Sequence, residues 1–164
     1  MDDMVRVPLQ AGANLVHMTQ RDDDLTALLR GRGMRVTSQR VLIYRALVER
    51  GGHLSAERVH EAVAPVLPGV SQQTVYSTLQ LLADLGLARR VVAAGGSTRF
   101  ETRLDEHHHL ACERCGAVVD LDVDMAVEPA LAAARASGFE PGFASLTVLG
   151  RCAGCAAAAS QRAG

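Results

Sequence analysis

Apolar positions recur at helical spacing in the first half of this chain and at strand spacing in the second. From Asp22 the pattern turns helical. The carboxylates of Asp22 to Asp24 suit a helix N-terminus, Leu25, Leu28 and Leu29 form an apolar stripe, and Gly31 and Gly33 end it. Residues 1–21 lack that periodicity and read as a flexible N-terminal arm. Thr37 is placed to cap a second helix, with Val41, Leu42, Ala46 and Leu47 as its apolar stripe and Gly51-Gly52 as its stop. Ser55 caps a third helix, ended by Pro65 and Pro68. Ser71 caps a fourth over residues 72–85, whose apolar face is Val75, Leu79, Leu82 and Leu85.

The opposite face of that fourth helix is unusual. Gln73, Tyr76, Ser77 and Gln80 fall on one stripe that carries amides and hydroxyls but no charge. A solvent face ordinarily carries Glu and Arg, whereas amides and hydroxyls suit base edges in a DNA groove. Residues 87–92 and 98–102 then alternate as strands around a Gly-containing loop, which predicts a β-hairpin. Helices followed by a short hairpin describe a winged helix-turn-helix over residues 22–102. The other reading of the same elements is a small α+β domain with no nucleic-acid role.

Beyond a charged hinge at residues 103–106, the pattern runs strand, strand, helix, strand. The strands are expected at 109–112, 117–122 and 144–149, and an Ala-rich helix at 125–137. This is a small C-terminal α/β unit over residues 107–156, and the whole chain is of α+β class. Its apolar strand faces exceed what so small a unit can bury alone, which points to a homodimer and makes this the dimerisation domain. Residues 157–164 read as a frayed tail.

Composition sharpens this picture in two ways. Net charge is −1, which says nothing of nucleic acid, but the basic residues are unevenly placed. All 17 are Arg, and six of them (Arg30, Arg32, Arg35, Arg40, Arg45, Arg50) lie in one stretch whose single acid is Glu49. Such a local excess can neutralise phosphates, and so can Arg89, Arg90 and Arg99 on the hairpin; a solvated helix face is the plainer reading. The chain also lacks a membrane-length apolar run and a basic-then-apolar leader, so a cytoplasmic protein is expected.

The cysteines carry the strongest chemical signal. Cys112/Cys115 and Cys152/Cys155 are the chain's only four, arranged as two Cys-x-x-Cys knuckles. Four thiolates so spaced suit a closed tetrahedral Zn2+ site, which is structural rather than catalytic. A disulfide framework is the alternative, disfavoured in a chain without a secretory leader. His107, His108 and His109 precede the first knuckle. On a strand His107 and His109 share a face and His108 points away, so the first two begin a site for Fe2+, Mn2+ or Zn2+. Glu101, Asp120 and His53 are further donors within reach; a surface His cluster is the simpler reading. A site drawing on both units would couple metal occupancy to their orientation. His17 and His60 lack suitable neighbours and read as structural or surface residues.

Four segments together resemble the ferric uptake regulator family of metal-dependent repressors. They are residues 35–40 (Arg-Val-Thr-Ser-Gln-Arg), 74–79 (Thr-Val-Tyr-Ser-Thr-Leu), 107–116 (His-His-His-Leu-Ala-Cys-Glu-Arg-Cys-Gly) and 150–155 (Gly-Arg-Cys-Ala-Gly-Cys). The resemblance covers residues 22–156. It implies a homodimer with N-terminal winged helices, one structural Zn2+ per subunit on the four cysteines, and one regulatory Fe2+ or Mn2+ per subunit at the hinge. By position the regulatory ligands are His53, Glu101, His107, His109 and Asp120. Filling that site would give the two DNA-binding domains a spacing matched to an inverted-repeat operator in double-stranded DNA. Tyr76 is the matching position for base contact, and Arg40 is read as a phosphate contact. A further metal site found in many ferric regulators is not expected, because its places are taken by His108 and Ala144. Glu101 combined with Asp120 is most similar to actinobacterial iron-dependent repressors of catalase genes.

These features predict a transcriptional repressor that senses peroxide through Fe2+-catalysed oxidation of His53 or His107. A repressor responding to iron or zinc availability, using the same residues without oxidation, is the close alternative. A metallohydrolase is the remote one: the chain has no His-Glu-x-x-His motif, and a hydrolase leaves the amide stripe unexplained.

Overall fold

The computed structural model describes residues 11–160 and divides them into a helical unit and a sheet unit. Helix α1 (Ala11–Gly31) is followed by α2 (Ser38–Arg50), α3 (Ala56–Val63) and α4 (Gln72–Asp84). Each of the last three begins where a side chain can satisfy free backbone N–H groups. Thr37 accepts from Arg40 N, Ser55 from Arg58 N and Ser71 from Thr74 N. Strands β1 (Arg89–Val92) and β2 (Thr98–Glu101) pair antiparallel and form the wing. Leu54 adds a bridge to this hairpin, exchanging backbone hydrogen bonds of 2.9 and 2.8 Å with Phe100.

One apolar core unites these elements. Leu25 and Leu29 of α1, Ile43 and Leu47 of α2, Val59 of α3, Val75 and Leu79 of α4, and Phe100 of the wing are all fully buried. The expected apolar faces of α1 and α4 meet here, whereas α2 buries Ile43, Tyr44 and Leu47 and leaves Val41, Leu42 and Ala46 of its expected stripe half-buried. The wing is fastened to the helices through Phe100, which stacks edge-on to Tyr76 with ring centroids 6.0 Å apart.

The sheet unit comprises β3 (His108–Cys112), β4 (Val118–Leu121), α5 (Glu128–Ala136), β5 (Thr147–Gly150) and α6 (Ala153–Ser160). Strand β3 is central, antiparallel to β4 and parallel to β5. The antiparallel pair is joined by the first cysteine knuckle. The parallel pair requires the longer crossover that carries α5. Val91 and Ala93 of the wing pack with Ala111 and Val118 of the sheet, so a small apolar contact joins the two units.

Several sequence expectations are corrected. The first helix starts at Ala11, so residues 11–21 belong to α1 rather than to an arm, and Asp22 to Asp24 lie mid-helix. Asp22 is held there by Arg45 of α2, Nε to Oδ2 2.8 Å. The expected tail is helical as far as Ser160, because α6 begins within the second knuckle; residues 161–164, like 1–10, lie outside the described residues. Helix α5 starts at Glu128 rather than 125, with Pro129 in the first turn that tolerates it. Strand β5 starts at Thr147 rather than 144.

Candidate metal centres and nucleic-acid interface

The cysteine centre is built locally. Cys112 ends β3, Cys115 lies on the tight turn leading to β4, Cys152 follows β5, and Cys155 is on α6. Pairing of β3 with β5 aligns Cys112 with Gly150 and so brings the second knuckle beside the first. All four sulfurs lie within 4.8 Å of one another, and none is in a disulfide. The Cys115 and Cys152 sulfurs are 3.8 Å apart, about the edge of a tetrahedron whose centre lies ~2.3 Å from each thiolate. Backbone N–H groups of Cys152, then Cys115 and Arg114, lower the Cys112 thiol to about 6. The contact with Cys152, then burial and the other sulfurs, push Cys155 up to about 12. Four crowded thiols cannot all ionise by themselves, whereas a dication at their centre stabilises every thiolate.

The second centre is assembled from both units. His53 comes from the turn between α2 and α3, Glu101 ends β2, His107 directly precedes β3, His109 is in β3, and Asp120 sits opposite His109 on β4. Gly51 and Gly52 both have positive φ (61° and 64°). That left-handed turn, which side-chain-bearing residues rarely adopt, directs His53 inward. Its five donor atoms lie within 4.8 Å of one another. Glu101 Oε2 is 3.0 Å from both His53 Nε2 and His107 Nε2, and Asp120 Oδ1 is 3.2 Å from His53 Nε2. Donors bound ~2.1 Å from one ion at right angles stand about 3 Å apart.

The convergence of donor atoms at this centre suits a cation. His107 Nδ1 lies 2.8 Å from the Asp105 carbonyl, which can only accept, so Nδ1 carries a proton and Nε2 is the ring nitrogen turned toward Glu101. His53 Nε2, Glu101 Oε1 and both ring nitrogens of His109 are buried without a hydrogen-bond partner. Donor atoms of three imidazoles and two carboxylates, all but that of Asp120 buried, converge in a way that is favourable around a dication. Burial opposes ionisation of Glu101, but the facing His53 and His107 rings outweigh it and lower its pKa. Burial first, despite Glu101, lowers the pKa of His109 and keeps its ring neutral. His108 points away as expected: its Nδ1 accepts from Leu146 N at 3.1 Å and so caps the approach to β5. His60 hydrogen-bonds the Val70 carbonyl, a structural role; the side chain of His17 lies outside the description.

The amide stripe of α4 is open. Gln73 and Ser77 are exposed, Tyr76 and Gln80 half-buried, and Ser77 donates to its own helix at Thr74 O. Arg35 and Arg40 share a surface cleft with Ser77, and Arg40 Nη1 holds the Arg35 carbonyl at 2.6 Å. Arg90 lies in the open, paired with Asp84 at 3.3 Å. Two other arginines of the wing are placed differently from expectation. Arg89 donates to the Leu104 and Asp105 carbonyls and covers the Phe143 ring at 4.7 Å. Arg99 Nη2 donates to the Gly116 carbonyl at 3.2 Å. Both guanidiniums therefore join the wing to the hinge and the sheet unit instead of facing outward.

Two participants were not singled out from sequence. Arg103, read as part of a charged linker, binds Asp120, and Phe143 receives Arg89. Neither sits in a spacing pattern; each is defined by a contact distant in sequence.

Relatives share this arrangement of elements. The chain is 42% identical to ferric uptake regulation protein 1 of Mycolicibacterium fortuitum, over 71% of this chain and 73% of that protein. It is 29% identical to a peroxide-responsive repressor of Staphylococcus epidermidis, over 87% and 95% respectively. A ferric uptake regulator from Pseudomonas aeruginosa, solved with manganese, superposes with a TM-score of 0.59 at 32% identity, covering 78% of this chain and 97% of that one. Residues 31–149 match the ferric uptake regulator family as a whole, and the chain belongs to that family of metal-dependent transcriptional regulators.

Proposed function

We propose that this chain is a homodimeric, DNA-binding repressor that senses peroxide through iron held at the buried hinge centre. The observation that carries this reading is the five-donor set of His53, Glu101, His107, His109 and Asp120, drawn from both units and rich in unpartnered lone pairs. In this reading the four cysteines hold a structural Zn2+, and the hinge takes Fe2+ or Mn2+. Three imidazoles and two carboxylates suit either ion, and cellular supply decides between them.

His53 and Glu101 belong to the helical unit and its wing, while His107, His109 and Asp120 belong to the sheet unit. Ligation by all five holds the two units in one orientation, so occupancy biases where α4 stands in each half of the dimer. Gln73, Tyr76, Ser77 and Gln80 then read base edges, and Arg35, Arg40 and Arg90 meet phosphates of an inverted-repeat operator. A dimer is supported by the outer sheet face, where Leu110, Val119 and Val148 stand side by side in register and exposed. Fe2+ at the hinge supplies the redox chemistry by which hydrogen peroxide adds one oxygen to an adjacent imidazole and is itself reduced to water. Oxidation of His53 or His107 removes a donor, loosens the two units and releases DNA.

The 42% identity to a ferric uptake regulation protein favours a second reading, a repressor governed by iron availability with the same ligands. Peptide mass spectrometry separates the two. Anaerobic protein is loaded with Fe2+ or, as a control, Mn2+, and a small excess of H2O2 is added. One added oxygen on the His53 or His107 peptide, with iron alone, is expected. Unmodified peptides with operator binding intact would leave iron availability as the function.

A further inference from the structure

Among the described residues, Arg103 makes the one polar side-chain contact to the hinge centre that its five donors do not provide themselves. Its Nη1 lies 2.7 Å from Asp120 Oδ2 and 3.0 Å from Asp122 Oδ1, and its Nε lies 2.9 Å from Asp105 Oδ2. The guanidinium is thus pinned from the hinge on one side and from the end of β4 on the other, with three carboxylates around one positive charge. Asp120 is consequently divided. Oδ1 faces His53 and His107 at 3.2 and 3.6 Å, while Oδ2 faces Arg103 outside the centre.

We infer that Arg103 is a positioning residue that makes Asp120 a single-oxygen ligand and thereby keeps one coordination position of the hinge metal open. This rests on the hinge centre proposed above. Each of the five residues then offers one donor atom. Mn2+ and Fe2+ commonly accept six. The position left over is available to water or to a small oxygen ligand such as peroxide. A carboxylate freed from its guanidinium can turn both oxygens toward a dication and occupy that position itself. Outer partners of metal ligands fix orientation in this way, and a planar fork held by further carboxylates does so more rigidly than a mobile ammonium. The same side chain holds Asp105, whose carbonyl fixes the His107 ring, so one arginine orders two neighbouring ligands.

The test uses full-length protein loaded with Mn2+ and reads the water-proton relaxation rate, which reports exchangeable water bound to the ion. Arg103→Gln is expected to lose most of the bound-water contribution seen in the wild type, and Arg103→Lys, which keeps a cation beside Oδ2, to retain it in part. In an Asp120→Ala background, Arg103→Gln should change nothing further. Wild-type relaxation in Arg103→Gln, or an equal effect of that substitution with and without Asp120, overturns the role of Arg103. Mn2+ binding unchanged in His107→Ala overturns the hinge centre itself, which distinguishes the two failures. With Fe2+ and peroxide, Arg103→Gln should also slow oxygen addition to His53 and His107 at equal metal occupancy; an unchanged rate counts against the inference.

Discussion

The two candidate centres of this molecule are assembled in opposite ways. The cysteine centre lies within the sheet unit, next to the ends of two paired strands, and two of its sulfur-bearing residues are exposed. The hinge centre draws on five points from His53 to Asp120 and buries all its donors except Asp120, whose side chain is 32% exposed. A site made inside one unit can only stabilise that unit. A site made between units can report on their orientation. The chemistry agrees: four thiolates close a tetrahedron, whereas imidazoles and carboxylates suit a redox-active or exchangeable ion.

The largest expected effect separates these roles. Cys115→Ser should abolish zinc retention and unfold or monomerise the sheet unit, since structural zinc contributes on the order of 10–16 kcal/mol of apparent binding free energy to folding. Zinc content, circular dichroism and size-exclusion chromatography check this; a stable zinc-free dimer would refute it. His107→Ala should spare the dimer and its zinc but weaken metal-activated operator binding by more than about 100-fold, the upper range for losing even an outer-shell partner of a metal. Metal-dependent DNA binding that survives this substitution would remove the hinge centre from the regulatory role.

Smaller effects sharpen the contrast by touching neither centre. Gln73→Ala on α4 should cost ~1–3 kcal/mol of discrimination between operator and random DNA, with both metals still bound, if the amide reads a base edge. Equal loss on both DNAs would make Gln73 a backbone contact. Phe143→Ala removes the ring beneath Arg89, a cation–π contact worth about 0.5–2 kcal/mol. It should leave zinc and the dimer unchanged and raise, a few-fold, the metal concentration needed for half-maximal operator binding. No shift in that titration would mean that the Arg89–Phe143 contact does not set the orientation of the units.

Legibility in the sequence follows the range of the interactions involved. Thr37, Ser55 and Ser71 cap α2, α3 and α4 as expected, because an N-cap is satisfied within three residues. Cys112 and Cys115 meet because a two-residue turn requires it. Alternation along β3 puts His107 and His109 on one side and His108 on the other. The start of α1 was not legible, since residues 11–21 carry no apolar repeat to mark it. The starts of α5 and β5 differ from expectation by three residues for a similar reason, as exposed apolar side chains blur the pattern there.

The sequence by itself thus determined the local chemistry: the capped helices, the amide stripe of α4, the two knuckles and the alternating histidines, all governed by spacings of a few residues. In the sequence, His53, Glu101 and Asp120 stand as candidate donors beside His107 and His109, and family resemblance makes them one ligand set. Tertiary structure alone decided the partners of Arg89, Arg99 and Arg103, which turn from a DNA-facing wing and a charged linker to the junction between units. The physical reason is that a guanidinium on a flexible stem goes to the carbonyls and carboxylates that folding brings within reach, and those lie up to 19 residues away along the chain.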